Sequence, residues 1–179
     1  MLVSSIMELV ACDEAQHATA ILEILNEAIV SSTALYDYHP RPLASMTGWF
    51  AAKRAGNFPV WGAVDDAGRL LGFATYDVFR VRPAYKYSVE HSVYVARDAR
   101  GAGVGTALLK RLIETAIEQQ KHVLVGGIDA ENEASVAFHQ RLGFVHAGTV
   151  KQAGFKFGRW LDVAFYQLIL PTPSAPVDG

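Results

Sequence analysis

The chain has 179 residues, a one-domain length that buries roughly 70% of its unfolded surface. Hydrophobic residues make up 51%, charged ones 19%, and the net charge is −2, which argues against a disordered chain or a nucleic-acid partner. Cys12 is the only cysteine, so an intramolecular disulfide and a thiolate metal cluster are excluded. The first residues lack a basic region followed by an apolar core, and no apolar run approaches roughly 18 residues. The expectation is a soluble, cytoplasmic protein with no membrane partner. One domain is expected over residues 1–170, followed by a flexible tail over 171–179 with three prolines.

In chain order, Ser5 to Ala11 reads as a first strand, with Ile6, Glu8 and Val10 alternating against Met7 and Leu9. Asp13 followed by Gln16 resembles a capping box, and Ile21, Leu22, Leu25, Ala28 and Ile29 form the buried stripe of the helix it opens. The polar loop after Ser31 carries Tyr36 and Tyr38, which either line a pocket or cover the core. Pro42 is placed in the first turn of a second helix, whose apolar face is Leu43, Met46, Trp49 and Phe50. Val60 to Val64 and Leu70 to Phe79 are strands joined by a hairpin turn at Asp65–Gly68. A central strand begins near Tyr87 and a long helix follows it. Val123 to Ile128 is then a strand covered on both faces. Asn132 to Leu142 is a helix ending at Gly143, and Phe144 to Val150 and Trp160 to Leu170 are the last strands. The order β-α-α-β-β-β-α-β-α-β-β predicts an α/β domain, a mixed sheet with helices on both faces.

The informative stretch is Glu90 to Thr106. Val89, His91, Val93 and Val95 share one face of its strand, and Ser88, Glu90, Ser92 and Tyr94 share the other. A turn with Gly101, Gly103 and Gly105 then opens a helix with Leu108, Leu109, Leu112, Ile113, Ala116 and Ile117 at helical spacing. Free N–H groups in a first helical turn, reached over glycines, bind phosphate. No lysine stands between Gly105 and Thr106, so this is not a P-loop, and Gly-x-Gly-x-Gly departs from the dinucleotide fingerprint. Arg100-Gly-Ala-Gly-Val-Gly instead resembles the acetyl-CoA pyrophosphate loop of the GNAT superfamily of N-acetyltransferases.

Other constellations surround it. Asn132, Ser135 and His139 lie on one helix face, where Asn132 alone reads as an N-cap. Glu90 is either a strand carboxylate in an ion pair or a base that takes a proton from an ammonium acceptor. Arg80, Arg82 and Lys86 flank Pro83 near Tyr85, as a solvated face or a carboxylate clamp. Lys156 to Asp162 is a second basic-aromatic element. The six histidines are scattered, Asp129-Ala-Glu-Asn-Glu133 lacks the calcium-loop glycine, and no metal is implied.

From Ile6 to Leu170 the chain resembles the phosphinothricin and methionine sulfoximine acetyltransferase family of GNAT enzymes. The closer match rests on Thr33-Ala-Leu-Tyr-Asp, Tyr87-Ser-Val-Glu-His-Ser-Val-Tyr-Val95, Gly127-Ile-Asp-Ala-Glu-Asn-Glu-Ala-Ser135 and Lys156-Phe-Gly-Arg-Trp-Leu-Asp162. The resemblance implies a mostly antiparallel mixed sheet, acetyl-CoA as donor, a small amino acid analogue accepting on its α-amine, and a homodimer. By position it implies that the backbone of Val93, Tyr94 and Val95 pairs with pantetheine. It places Arg100, Gly101, Ala102, Gly103, Val104, Gly105 and Thr106 on the pyrophosphate and Asn132 and Ser135 on the pantetheine arm. Glu90 is the implied base, and His139 stands where many members place a tyrosine acid, as that acid or as a packed histidine. Tyr36, Arg80, Arg82, Tyr85 and Lys156 are the expected acceptor contacts. Trp61-Gly62 departs from the smaller aliphatic run of relatives. A module that binds acyl-CoA without catalysis and an enzyme for peptide N-termini are the alternatives.

Overall fold

The structure, a computed structural model, describes residues 7–178, so the expected strand positions Ser5 and Ile6 lie outside the described residues. Strand β1 (Glu8–Ala11) leads into helix α1 (Glu14–Ser31), which Asp13 caps by accepting from the Gln16 N–H at 2.8 Å. Helix α2 spans Ser45–Ala55, so Pro42 precedes the helix and does not sit in its first turn. The reason is local: the Pro42 carbonyl accepts from both the N–H and the hydroxyl of Ser45, forming a turn before the helix begins. Strands β2 (Val60–Val64), β3 (Leu70–Val78) and β4 (Ser88–Val95) follow, then helix α3 (Val104–Glu118) and strand β5 (Val123–Asp129). Helix α4 (Glu133–Arg141) stops at Leu142 and the left-handed Gly143, at φ +89°. The hairpin of β6 (Val145–Lys156) and β7 (Arg159–Ile169) completes the chain. Its first strand runs six residues past the expected Val150, because an irregularity between Val150 and Gly154 interrupts the pairing without ending it.

Across the sheet the strands run β1-β2-β3-β4-β5-β7-β6, and the element order is the one expected. Every neighbouring pair is antiparallel except β4 with β5. Leu108, Leu109, Leu112 and Ala116 of α3 are wholly buried against one face, with Ala74, Tyr76 and Leu124. On the other face Ile21 and Leu25 of α1 and Met46 and Phe50 of α2 close over Phe73. Trp61 has a packing role: its indole N–H donates to the Thr115 hydroxyl at 2.9 Å, and the Arg111 guanidinium lies 4.3 Å from its ring centre.

One feature of the sheet positions everything that follows. The parallel ladder joins Ser88 to Val123, Val89 to Leu124 and Glu90 to Val125, and there it stops. Beyond that point β4 stays paired with β3 as far as Val95, and β5 stays paired with β7 as far as Asp129. Each strand follows its outer neighbour, and the two part. The segment expected as a flexible tail is fastened near the foot of these strands. The Thr172 hydroxyl donates to the Lys121 carbonyl, and the Val177 N–H donates to the Tyr87 hydroxyl at 3.1 Å.

Lys156 ties the hairpin to α1. Its ammonium is buried and donates to the carbonyls of Ile29, Ser32 and Leu35 at 2.6, 2.9 and 2.6 Å. These carbonyls close the end of α1, where the helix dipole also favours a cation. With all three donors engaged, Lys156 holds the loop and has none left for an acceptor, which corrects the expectation for it. Lys156→Met should destabilise the fold by about 1.5–3 kcal/mol, the range for hydrogen bonds to a charged group. Urea unfolding checks this, and an unchanged midpoint would show the three bonds to be idle.

Candidate active site

The parted strands open a cavity of about 550 Å³, bounded by the second half of β4, the glycine turn, the start of α3, the second half of β5 and α4. Its edges carry unsatisfied backbone. The Ala96 N–H donates to Leu71 on β3, and the Tyr87 carbonyl accepts from Val123 on β5. Strand alternation therefore turns the backbone groups of Val93 and Val95 toward β5, where no strand pairs with them. Tyr94 faces β3 and pairs there with Phe73. Its main chain is thus turned to β3, a correction to the expected trio, although the residue borders the cavity. Arg100 claims the Val95 carbonyl, donating from Nε at 3.1 Å, and its Nη2 reaches Glu27 of α1 at 2.6 Å. It straps the glycine turn to the body of the protein.

At the far end, the first helical bond of α3 runs from the Ala107 N–H to the Gly103 carbonyl. The N–H groups of Val104, Gly105 and Thr106 precede it, and no side chain caps them. Gly101 and Gly103 hold φ +81° and +82°, and a Cβ on either would meet nothing within 4 Å. What these glycines supply is therefore left-handed backbone, not clearance within the protein. Ala102 is exposed in the turn and does not line the cavity. Open donors at a helix start and an unpaired strand edge suit a phosphate joined to an amide-bearing arm.

Asn132 caps α4 by accepting from the Ser135 N–H at 3.1 Å, so the plain reading of it holds, and both residues also border the cavity. His139 is buried there, with Nδ1 2.8 Å from the Ser135 carbonyl and Nε2 2.9 Å from Nε2 of His91. A carbonyl only accepts, so Nδ1 of His139 carries its proton and its Nε2 accepts from His91. Burial lowers the pKa of His139, and that of His91 falls to about 3, so both rings are neutral near pH 7. His139 thus has no proton directed into the cleft. His91 was not singled out from the sequence, although its place on the apolar face of β4 was the available signal.

Glu90 lies on the opposite sheet face, at the last ladder position before the strands part. A Cβ on Gly127 would stand 3.3 Å from its Oε1, so the carboxylate borders a glycine that itself lines the cavity. Burial raises the Glu90 pKa above the usual carboxylate range; the Arg80 charge opposes this and Asp77 reinforces it. Arg80 is exposed over the Phe79 ring, with 5.3 Å to its centre, and Tyr85 packs edge-on to Phe79 at 5.9 Å. Arg82 caps the short 3-10 turn Pro83–Tyr85 with its backbone. Neither arginine forms an ion pair among the described residues.

Tyr36 packs so closely on Gly154 of β6 that the strand has no room there for a side chain. Asp129, also missed in the sequence, organises this rim. It accepts from the Thr33 hydroxyl at 2.6 Å, the Glu131 N–H at 3.1 Å and Arg159 at 3.4 Å. The buried carboxylate thereby joins the loop after α1, the start of α4 and β7. No group of three or more metal-binding side chains occurs among the described residues.

Comparison with known proteins agrees with this geometry. Residues 19–144 match the acetyltransferase (GNAT) family. The L-methionine sulfoximine/L-methionine sulfone acetyltransferase of Pseudomonas paraeruginosa is 46% identical over 157 residues, covering 87% of this chain and 91% of that protein. A solved structure from Acinetobacter baylyi is 58% identical with a TM-score of 0.98, covering 100% of both chains. The phosphinothricin acetyltransferase of Sinorhizobium meliloti, solved with acetyl-CoA, is 34% identical with a TM-score of 0.90, covering 97% of this chain and 93% of that one. A cleft with free helix-start donors and an unpaired strand edge is thus joined to a family match over most of the sequence, and the chain belongs to the GNAT acetyltransferases, enzymes that use acetyl-CoA.

Proposed function

We propose that this chain acetylates the α-amine of a small amino acid analogue of the methionine sulfoximine or phosphinothricin type, with Glu90 as general base. The observation that carries this reading is the place of Glu90. A carboxylate of raised pKa stands where the ladder ends, beside Gly127, which borders the cleft. The names of the relatives supply the acceptor class.

In this reading the N–H groups of Val104, Gly105 and Thr106 hold the pyrophosphate, with Gly101 and Gly103 shaping the turn. The backbone of Val93 and Val95 and the side chains of Asn132 and Ser135 meet the pantetheine arm. Acetyl-CoA supplies a thioester: the amine nitrogen bonds to its acyl carbon while the carbon–sulfur bond breaks, and the electron pair leaves with sulfur. Glu90 takes the proton that the ammonium must lose, directly or through a water, and the second proton shed by the acylated nitrogen ends on the departed thiolate. A carboxylate whose pKa is raised toward neutrality suits that task better than an ordinary one. Thiols titrate near 8.5, so sulfur can depart as thiolate without an obligatory acid. His139, whose only proton is held by the Ser135 carbonyl, is given no acid role.

Arg80, whose charge acts on Glu90, is the better placed of the two arginines to hold the acceptor's α-carboxylate, and Tyr85 packs on the same Phe79 ring that carries Arg80. The β6–β7 hairpin exposes Phe155, Phe157 and Trp160, at 46%, 58% and 59%, and this apolar tip supports a homodimer formed through that region.

Replacing Glu90 with Gln keeps the size of the side chain and removes the base. Turnover should fall by about 10²- to 10⁴-fold while acetyl-CoA affinity persists, and the loss should narrow at high pH, where free amine is abundant. Wild-type turnover of Glu90→Gln at neutral pH would make the carboxylate structural. The acceptor clamp has its own test, in kinetics of Arg80→Ala and Arg82→Ala with a free amino acid analogue and its carboxamide. Wild type should prefer the acid, and Arg80→Ala should lose about 10- to 150-fold in acceptor affinity, the worth of one charge-assisted hydrogen bond. Equal use of acid and amide by wild type would refute the clamp.

A further inference from the structure

The two buried imidazoles of the cleft have no part in the chemistry above, yet their position is specific. The β4–β5 ladder ends at Glu90 and Val125, so the next residues, His91 and Gly126, stand at the apex where the strands part. The phosphate-binding end of the cleft is at the start of α3. The end near Glu90 is therefore where a bound acyl group meets an acceptor amine. His91, Gly126 and His139 all line the cavity there.

These three leave little slack. A Cβ on Gly126 would come within 2.8 Å of Cε1 of His91 and 3.4 Å of Nε2 of His139, so not even a methyl group fits between strand and rings. The rings are also braced by other aromatic rings. Phe144 lies 5.0 Å from His91 and 5.3 Å from His139 between ring centres, and Phe138 lies 5.0 Å from His139. The Nε2–Nε2 hydrogen bond fixes their mutual orientation. Nδ1 of His91 is buried without a hydrogen-bond partner. Such a nitrogen weakens a fold, so the ring is not explained by stability alone.

We propose that the His91–His139 pair is the end wall of the acyl pocket and limits the acyl group this enzyme transfers to a short one. The inference rests on the acyl-CoA reading of the cleft and adds the residues that set chain length. The wall acts by exclusion. An added methylene on the acyl group runs into two rings held by each other and by Phe144, whereas a smaller residue at position 91 leaves room for it. A hydrophobic pocket separates substrates differing by one methylene by about 10- to 200-fold, so discrimination should lie in that range.

The experiment compares CoA, acetyl-CoA, propionyl-CoA and butyryl-CoA on wild type, His91→Ala and His91→Asn. Binding is followed by calorimetry and turnover with one fixed amino acid acceptor, after circular dichroism shows each variant folded. Wild type should bind and use acetyl-CoA at least tenfold better than butyryl-CoA. In His91→Ala the butyryl-to-acetyl ratio should rise at least tenfold in both readouts, with affinity for CoA itself unchanged. His91→Asn, shorter than histidine but polar, should move the ratio the same way. A folded variant with an unchanged ratio would overturn the inference even if all turnover fell. A wild type that accepts butyryl-CoA as readily as acetyl-CoA would overturn it without any variant. A wild type that binds neither CoA nor acetyl-CoA would instead overturn the donor reading on which the inference stands.

Discussion

Two neighbouring strands in the middle of a sheet ordinarily satisfy each other's backbone, and here β4 and β5 do so over three residue pairs only. Each then stays bound to its outer partner, and the two part. Backbone donors and acceptors left bare inside a domain are costly unless something pairs with them. The Val93 backbone therefore faces the cavity as an open strand edge. The same parting brings the open N–H groups of α3 to the other end of the cavity, because the glycine turn follows directly from β4. One break in hydrogen bonding thus creates the volume, an open strand edge along it and the line from that edge to the helix start.

The surrounding interactions keep that break open and shaped. Arg100 fastens the glycine turn to α1 through Glu27, Lys156 fastens the end of α1 to β6, and Asp129 joins the loop after α1 to β7 through Thr33 and Arg159. These ties cross between parts of the chain far apart in sequence, and Arg100 and Asp129 themselves line the cleft. Where the ladder ends, burial raises the Glu90 pKa, while the exposed Arg80 limits that rise. The result is a carboxylate of raised pKa within reach of an exposed arginine's charge.

Local features were legible in the sequence because local rules govern them. The Asp13 cap, the Gly143 stop, the strand alternation around Glu90 and the glycine turn each depend on a few adjacent residues, and the structure has all of them. Features that depend on distant partners were not. Lys156 beside aromatic residues reads as an exposed cation, and only the folded chain brings it to three carbonyls more than a hundred residues earlier. The His91–His139 bond joins residues 48 apart, and nothing near either histidine announces the other. Asp129 sits in an acidic run that resembles a solvated turn, until Thr33 and Arg159 reach it. Tyr94 was grouped with Val93 and Val95 because a motif does not reveal which way a strand residue's backbone faces.

Residue-resolved amide exchange by NMR, with and without saturating acetyl-CoA, tests the parted-strand account most directly. The amides of Val93, Val104, Gly105 and Thr106 have no protein acceptor in this geometry, so they should exchange readily in the free protein and become protected on binding. The Tyr94 amide, already paired with β3, should change little. Protection that left these four amides unchanged, or that fell on the α1–α2 face of the sheet, would contradict the claim that the opening between β4 and β5 is where the acyl donor binds.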